Sequence, residues 1–207
     1  MKGLLLKDFY MMKKYCRSFL LILLVFTAIS LFSESGEIFI VYPVLIASML
    51  PVTLISYDER SRWNVYSDTM PYSRAIQVSD KYLIVLMAVG SCMAVMTVAQ
   101  IGKAWYLHAP LDPLTLVTTL LAVGLLVPSV TLPIVFKWGV EKGRMMYYVL
   151  VVLLFAGFAL VNLWNSDEEP AVVSGILFNG WMLLGGALIL FALSWWLSIR
   201  FYQKREW

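Results

Sequence analysis

The chain has 207 residues, 61% of them hydrophobic and 14% charged, with a mean hydropathy of +0.80. Soluble domains are about 45–50% apolar and about a quarter charged, so a single soluble core is excluded and an all-α integral membrane protein is expected. The net charge is only +3 and the basic residues sit in loops rather than on one face, which argues against nucleic acid as a partner.

The chain opens on KGLLLKDFYMMKKYCR, whose helical wheel gathers Lys2, Lys7, Lys13, Lys14 and Arg17 on one side. Leu4, Leu5, Phe9, Met12 and Tyr15 fall on the other side. Asp8 is misplaced among those apolar residues, and Leu6 and Tyr10 among the basic ones. Such a helix is predicted to lie in the plane of a leaflet with its basic face toward anionic lipid. No cleavable signal peptide is expected, because the apolar run 19–32 follows eighteen residues and no small-x-small site precedes the acidic SESGE.

A membrane helix needs about 20 apolar residues to cross about 30 Å of hydrocarbon. Six runs qualify: 16–33, 38–56, 82–101, 114–136, 146–164 and 175–199. Helices are required because every backbone polar group in lipid must be satisfied within its own segment or in a closed barrel, and the alternating pattern of barrel strands is missing. Of the 16 Lys and Arg residues, all but Lys103 fall at the two termini or in the second and fourth loops. The positive-inside rule then places both termini in the cytoplasm.

The second loop, YDERSRWNVYSDTMPYSR (57–74), is the one strongly polar interruption. Ser56 and Glu59 have capping-box spacing, which predicts the start of a short helix. Asp58 and Arg62 are spaced for a helical ion pair with the acid first. Trp63, Tyr66 and Met70 share one side of that helix, and Pro71 suits the first turn of the next. By spacing alone this aromatic face is either an interfacial belt or a docking site for a cytoplasmic partner.

Within the spans, the central portions hold no Asp, Glu, Lys, Arg or His, the groups that ion-coupled carriers use. Gly90 with Ala94, and Gly185 with Gly186, offer surfaces for close helix approach. Pro43 and Pro51 predict kinks in the second span, and Pro128 and Pro133 in the fourth. Gln100, Thr118, Thr119 and Asn162 could line a polar route or bond across helices. A short outer re-entrant helix is expected around 170–179, before the last crossing. His108 is a loop residue. The two cysteines, Cys16 and Cys92, form no framework and no metal set. No HExxH, GxSxG or phosphate-binding GxxxxGK[ST] motif is present, so neither catalytic residues nor a nucleotide or metal cofactor is expected in this chain.

The second loop resembles the cytoplasmic signature of type-2 ABC exporter permeases: Asp58-Glu59, then Trp63, then Met70-Pro71-Tyr72-Ser73-Arg74, then Lys81-Tyr82 before the next span. Many members have Gly before the Trp, where this chain has Arg62, and Leu before the Pro, where it has Met70. The opening MKGLLLKDFYMMKK is similar to the family's basic elbow segment. Within the family the chain is most similar to small bacterial permeases that export peptides, such as the phenol-soluble modulin exporters. The resemblance implies a single permease domain over 1–207, with an elbow helix at 1–17 and a coupling helix in 57–74, in a bacterial cytoplasmic membrane. It implies a second permease copy or a related chain, and a separate ABC ATPase that carries ATP and Mg. The ATPase contact would comprise Asp58, Glu59, Arg60, Arg62, Trp63, Tyr66, Met70 and Pro71. The cargo would be an amphipathic peptide or another hydrophobic substrate. Two other classes fit less of the pattern: a non-transporting immunity or sensor subunit, and a small membrane enzyme, for which only the outer acid pairs Glu34/Glu37 and Asp167/Glu168 are available.

Overall fold

A computed structural model describes residues 2–15, 17–32, 37–67, 69, 73–107, 113–164 and 180–204. Among these residues all regular structure is helical. The elements are α1 (Lys2–Tyr15), α2 (Arg17–Phe32), α3 (Glu37–Ser48), α4 (Leu50–Arg60), α5 (Trp63–Ser67), α6 (Arg74–Leu107), α7 (Pro113–Trp138), α8 (Val140–Trp164) and α9 (Gly180–Gln203). Ile40–Arg60, Arg74–Leu107, Pro113–Trp138 and Trp181–Gln203 are each long and apolar enough to cross a membrane. A fifth candidate is the pair Gly3–Lys14 and Arg17–Phe32, from α1 and α2, which are bent by 65° to one another if taken as one span. The expected span 146–164 lies within α8.

α7 is the hub of the bundle, packing on α3, α6, α8 and most extensively on α9. Its apolar side explains this, since Leu120, Leu125, Val127, Leu132 and Val135 are all buried. Pro128 and Pro133 both lie inside a helix that continues through them. Each proline lacks the N–H that would have bonded four residues back, to the carbonyls of Gly124 and Ser129, and beside them the hydroxyls of Ser129 and Thr131 bond to the carbonyls of Leu125 (2.6 Å) and Val127 (3.0 Å). At Gly124 the neighbouring helices come close: a Cβ there would stand 2.5 Å from Val89 Cγ1 and 2.8 Å from Val44 Cγ1. Close approach was expected instead at Gly90, Gly185 and Gly186, but a Cβ at any of these meets nothing within 4 Å in this chain. The notch is on α7 because that is the helix surrounded on most sides.

Between α7 and α8 the chain turns in a single residue, Gly139, whose φ of 89° lies in the left-handed region that glycine tolerates. The second span breaks at Met49, where Pro51 removes the N–H that would have bonded to the carbonyl of Ala47.

The local expectations for the second loop need correction. α4 runs from Leu50 straight through Ser56 to Arg60, so Ser56 is an interior residue and caps no new helix. The Ser56 hydroxyl instead accepts a bond from Arg144 Nη2 at 3.0 Å, joining α4 to α8. The helical ion pair of Asp58 with Arg62 does not form either. α4 ends at Arg60, and Arg62, with φ 52° and an exposed side chain, lies past the helix that the pairing would need. That backbone conformation favours glycine. The helix that follows, α5, spans only Trp63–Ser67. Met70, Pro71 and the expected re-entrant segment lie outside the described residues.

Candidate functional site

α6 has 34 residues and is about 51 Å long, well beyond the about 30 Å of a hydrocarbon core. Its apolar run starts at Tyr82, so residues 74–81, with Arg74, Gln77, Ser79, Asp80 and Lys81, project past the span. Two helices converge on that projection. α1 crosses it with Asp8 inward, and α4 brings the side chain of Asp58 to the same place.

The result is a buried ionic cluster. Lys81 Nζ donates to Asp58 Oδ2 at 2.7 Å and to Asp8 Oδ2. Lys7 Nζ stands 2.8 Å from Asp58 Oδ1 and 3.0 Å from Asp8 Oδ1. Asp8 and the adjacent Asp80 are fully buried, Asp58 is 4% exposed and Lys81 7% exposed. Charges so far from water persist only when paired. Burial pushes the Asp8 carboxyl up, but the ammonium groups of Lys81 and Lys7 outweigh it and hold its pKa below the usual value.

The cluster reaches the polar loop through Lys7, whose ammonium lies 4.3 Å from the centre of the Trp63 ring. Trp63 and Tyr66 face each other at 5.5 Å, and Tyr66 stays 57% exposed. A second connection runs from the end of α5 to the C-terminal helix. Ser67 Oγ and Tyr202 OH both donate to Gln77 Oε1, at 3.2 and 2.9 Å. Deeper along the α6–α9 seam, the Tyr82 hydroxyl bonds to Ser194 and Ser198 at 2.7 Å each, and Trp195 Nε1 donates to Ser79 Oγ at 3.1 Å. The loop is therefore tied to α1, α4, α6 and α9 at one end of the bundle.

Of the expected contact residues, Asp58 faces inward, Trp63 and Glu59 are half-buried, and Arg60, Arg62 and Tyr66 are exposed. Gln100 is buried and donates to Ser30 Oγ, tying α6 to α2. Thr118 and Thr119 both bond to the carbonyl of Thr115 in their own helix, at 2.9 and 2.8 Å. Asn162 belongs to α8, but its side chain lies outside the described residues. Lys7 departs from its expected lipid-facing position, because the inward carboxylates of Asp8 and Asp58 draw it back over α4. Asp8, Asp80, Lys81, Gln77 and Tyr202 were not expected to form a site. The available signal was the acid on the wrong side of the α1 wheel and the Asp-Lys pair at the mouth of the third apolar run.

A bundle of long apolar helices carrying a charge-bound polar loop at one end is a multi-pass membrane protein, and no cluster that could hold a metal ion is found among its described residues. The chain belongs to the family described as ABC-2 family transporter protein, which it matches over residues 3–203. Members of this family are membrane subunits of ABC transporters, and the family implies an ABC ATPase as partner. No curated protein and no solved structure matches the chain.

Proposed function

We propose that this chain is one half of an ATP-driven exporter in a bacterial cytoplasmic membrane. It crosses six times with both termini inside, and pairs with a second copy or a related permease. The separate ATPase binds ATP and Mg and contacts segment 57–74. Tyr66 is the aromatic anchor offered to the ATPase, with Arg60 and Arg62 beside it and Met70 and Pro71 completing the segment. Trp63 works one layer further in, passing movement to α1 through Lys7.

The observation that supports this reading is the placement of the loop. Asp58 Oδ2 lies 2.7 Å from Lys81 Nζ and Lys7 Nζ lies 4.3 Å from the Trp63 ring centre, while Tyr66 remains exposed. An interfacial belt needs aromatic rings among headgroups but no such attachment to three helices. Apolar spans suit an amphipathic peptide as cargo, and Gln100, Thr118, Thr119 and Asn162 are the polar positions it would meet in α6, α7 and α8.

The test is co-purification in detergent with the ATPase encoded beside this gene, followed by ATP hydrolysis assays. A stable, active complex is expected. Tyr66→Ala should weaken it by about 30-fold, the effect of losing a hot spot of about 2 kcal/mol. Equal affinity for Tyr66→Ala would remove Tyr66 from the interface. A folded permease that captures no ATPase would overturn the exporter reading.

A further inference from the structure

Among the described residues, the ionic cluster contains three aspartates, Asp8, Asp58 and Asp80, and two ammonium groups, Lys7 and Lys81. Both ammonium groups are engaged by Asp8 and Asp58. Asp80 is fully buried, and neither of its oxygens has a hydrogen-bond donor among the described residues. It lines a small cavity together with Asp58, Lys7, Lys81, Gln77 and Tyr202, and lies within hydrogen-bonding reach of Asp8. An ionised Asp80 would leave one uncompensated charge in the interior, a state that proteins avoid by neutralising the group.

We propose that Asp80 is a proton-binding site: it holds a proton donated in a hydrogen bond to Asp8, and this proton fastens α1 to α6. With the proton bound, the cluster is neutral and Asp8 is free to accept from Lys81 and Asp80 together. When the proton leaves, Asp80 and Asp8 repel and α1 loosens from the bundle.

The groups facing Asp80 act in both directions. α1 contributes Asp8 and Lys7, α4 contributes Asp58 and the half-buried Glu59, α6 contributes Lys81, and α9 contributes the Tyr202 hydroxyl. α7 adds only Val135 and Phe136 to the cavity. Burial, followed by the Asp8 contact, pushes the Asp80 carboxyl up to about 7 against the pull of Lys81 and Lys7. A raised acid stabilises the fold fully below its unfolded pKa, and that contribution is lost as pH rises through the folded value. Asp8, which is lowered, has the opposite sign: its contribution is present above the usual carboxylate pKa and lost as pH falls through its folded value. Attachment of α1 is therefore greatest between the carboxylate range and about 7.

Hydrogen exchange of residues 2–15 in the purified full-length protein in lipid nanodiscs tests this, after correction for intrinsic rates. Between one unit below and one unit above the midpoint, the protonated fraction falls from about nine-tenths to about one-tenth, so exchange of α1 should accelerate by up to about tenfold. Asp80→Asn balances the cluster without a proton and should abolish the pH dependence. Asp8→Asn leaves two carboxylates against two ammonium groups and should abolish it as well, which keeps the test open if one variant folds poorly. Exchange that does not vary with pH in the unmutated chain would overturn the proposal, as would Asp80→Asn with an unchanged profile. A response to Na+ or K+ at fixed pH would replace the proton with a metal cation. The experiment contains no ATPase, so its result is independent of the exporter reading.

Discussion

At its Arg74 end, α6 is gripped by Asp8 and Asp58 from two other helices, and by Tyr202 from a third. At its Leu107 end, two polar attachments to α2 converge on Ser30: Gln100 to the hydroxyl and Lys103 Nζ to the carbonyl at 3.0 Å. Beyond them Trp105 and Tyr106 are each 83% exposed. One end is thus bound by buried charges, which are strongly directional and fail abruptly when one partner is removed. Among the described residues, the other end rests on apolar packing and on hydrogen bonds to Ser30, which give way gradually. A helix held in this way can move at its far end while its charged end keeps register with the loop.

The largest test of this contrast is Lys81→Met, which removes the cation shared by Asp8 and Asp58. The expected loss is about 3–5 kcal/mol, the cost of breaking a buried ion pair from one side, measured by thermal unfolding of the purified protein. A loss below about 1 kcal/mol would mean that water reaches the cluster and that the two ends of α6 are not so different. Gly124→Leu probes packing in the middle of the bundle, where even a Cβ would lie 2.5 Å from Val89 Cγ1. Overpacking of this kind should cost about 1–3 kcal/mol, and an unchanged midpoint would show that α7 can shift away from α6. The smallest effect is expected from Tyr82→Phe, which leaves Ser194 and Ser198 without their shared partner. Interhelical hydrogen bonds in membranes contribute about 0.6–1.7 kcal/mol, and a loss above that range would make the α6–α9 seam as stiff as the ionic cluster.

The apolar runs were legible because hydrocarbon imposes a length on them, and each of the six falls on or within a helix or helix pair wherever residues are described. The polar loop was legible as a special segment from its composition. Its internal geometry was not, because Ser56 and Glu59 carry capping-box spacing whether or not a helix is already running through them. Propagation from Leu50 decided that, and the left-handed Arg62 then ended the helix. The cluster was hidden for another reason. Asp8 and Lys81 are 73 residues apart in sequence, and nothing in local periodicity states which distant group neutralises a charge. The wheel of α1 nevertheless marked Asp8 as out of place. The close approach at Gly124 was likewise invisible, since a glycine inside an apolar run looks the same whether it faces lipid or a neighbouring helix.

Gly139 gives α7 and α8 a joint with no spare length. One residue separates the two helices, and a Cβ at nearby Gly143 would come within 2.1 Å of Val135 Cγ2, so the hairpin is closed on both its backbone and its side-chain side. Sliding one helix along the other would need slack that this turn does not contain. Any tilt of α7 is passed to α8 like the motion of one arm of a pair of tongs whose rivet has been tightened, and the exposed face of α8, with Tyr148, Val152 and Leu153, sweeps through its surroundings as α7 moves in the interior.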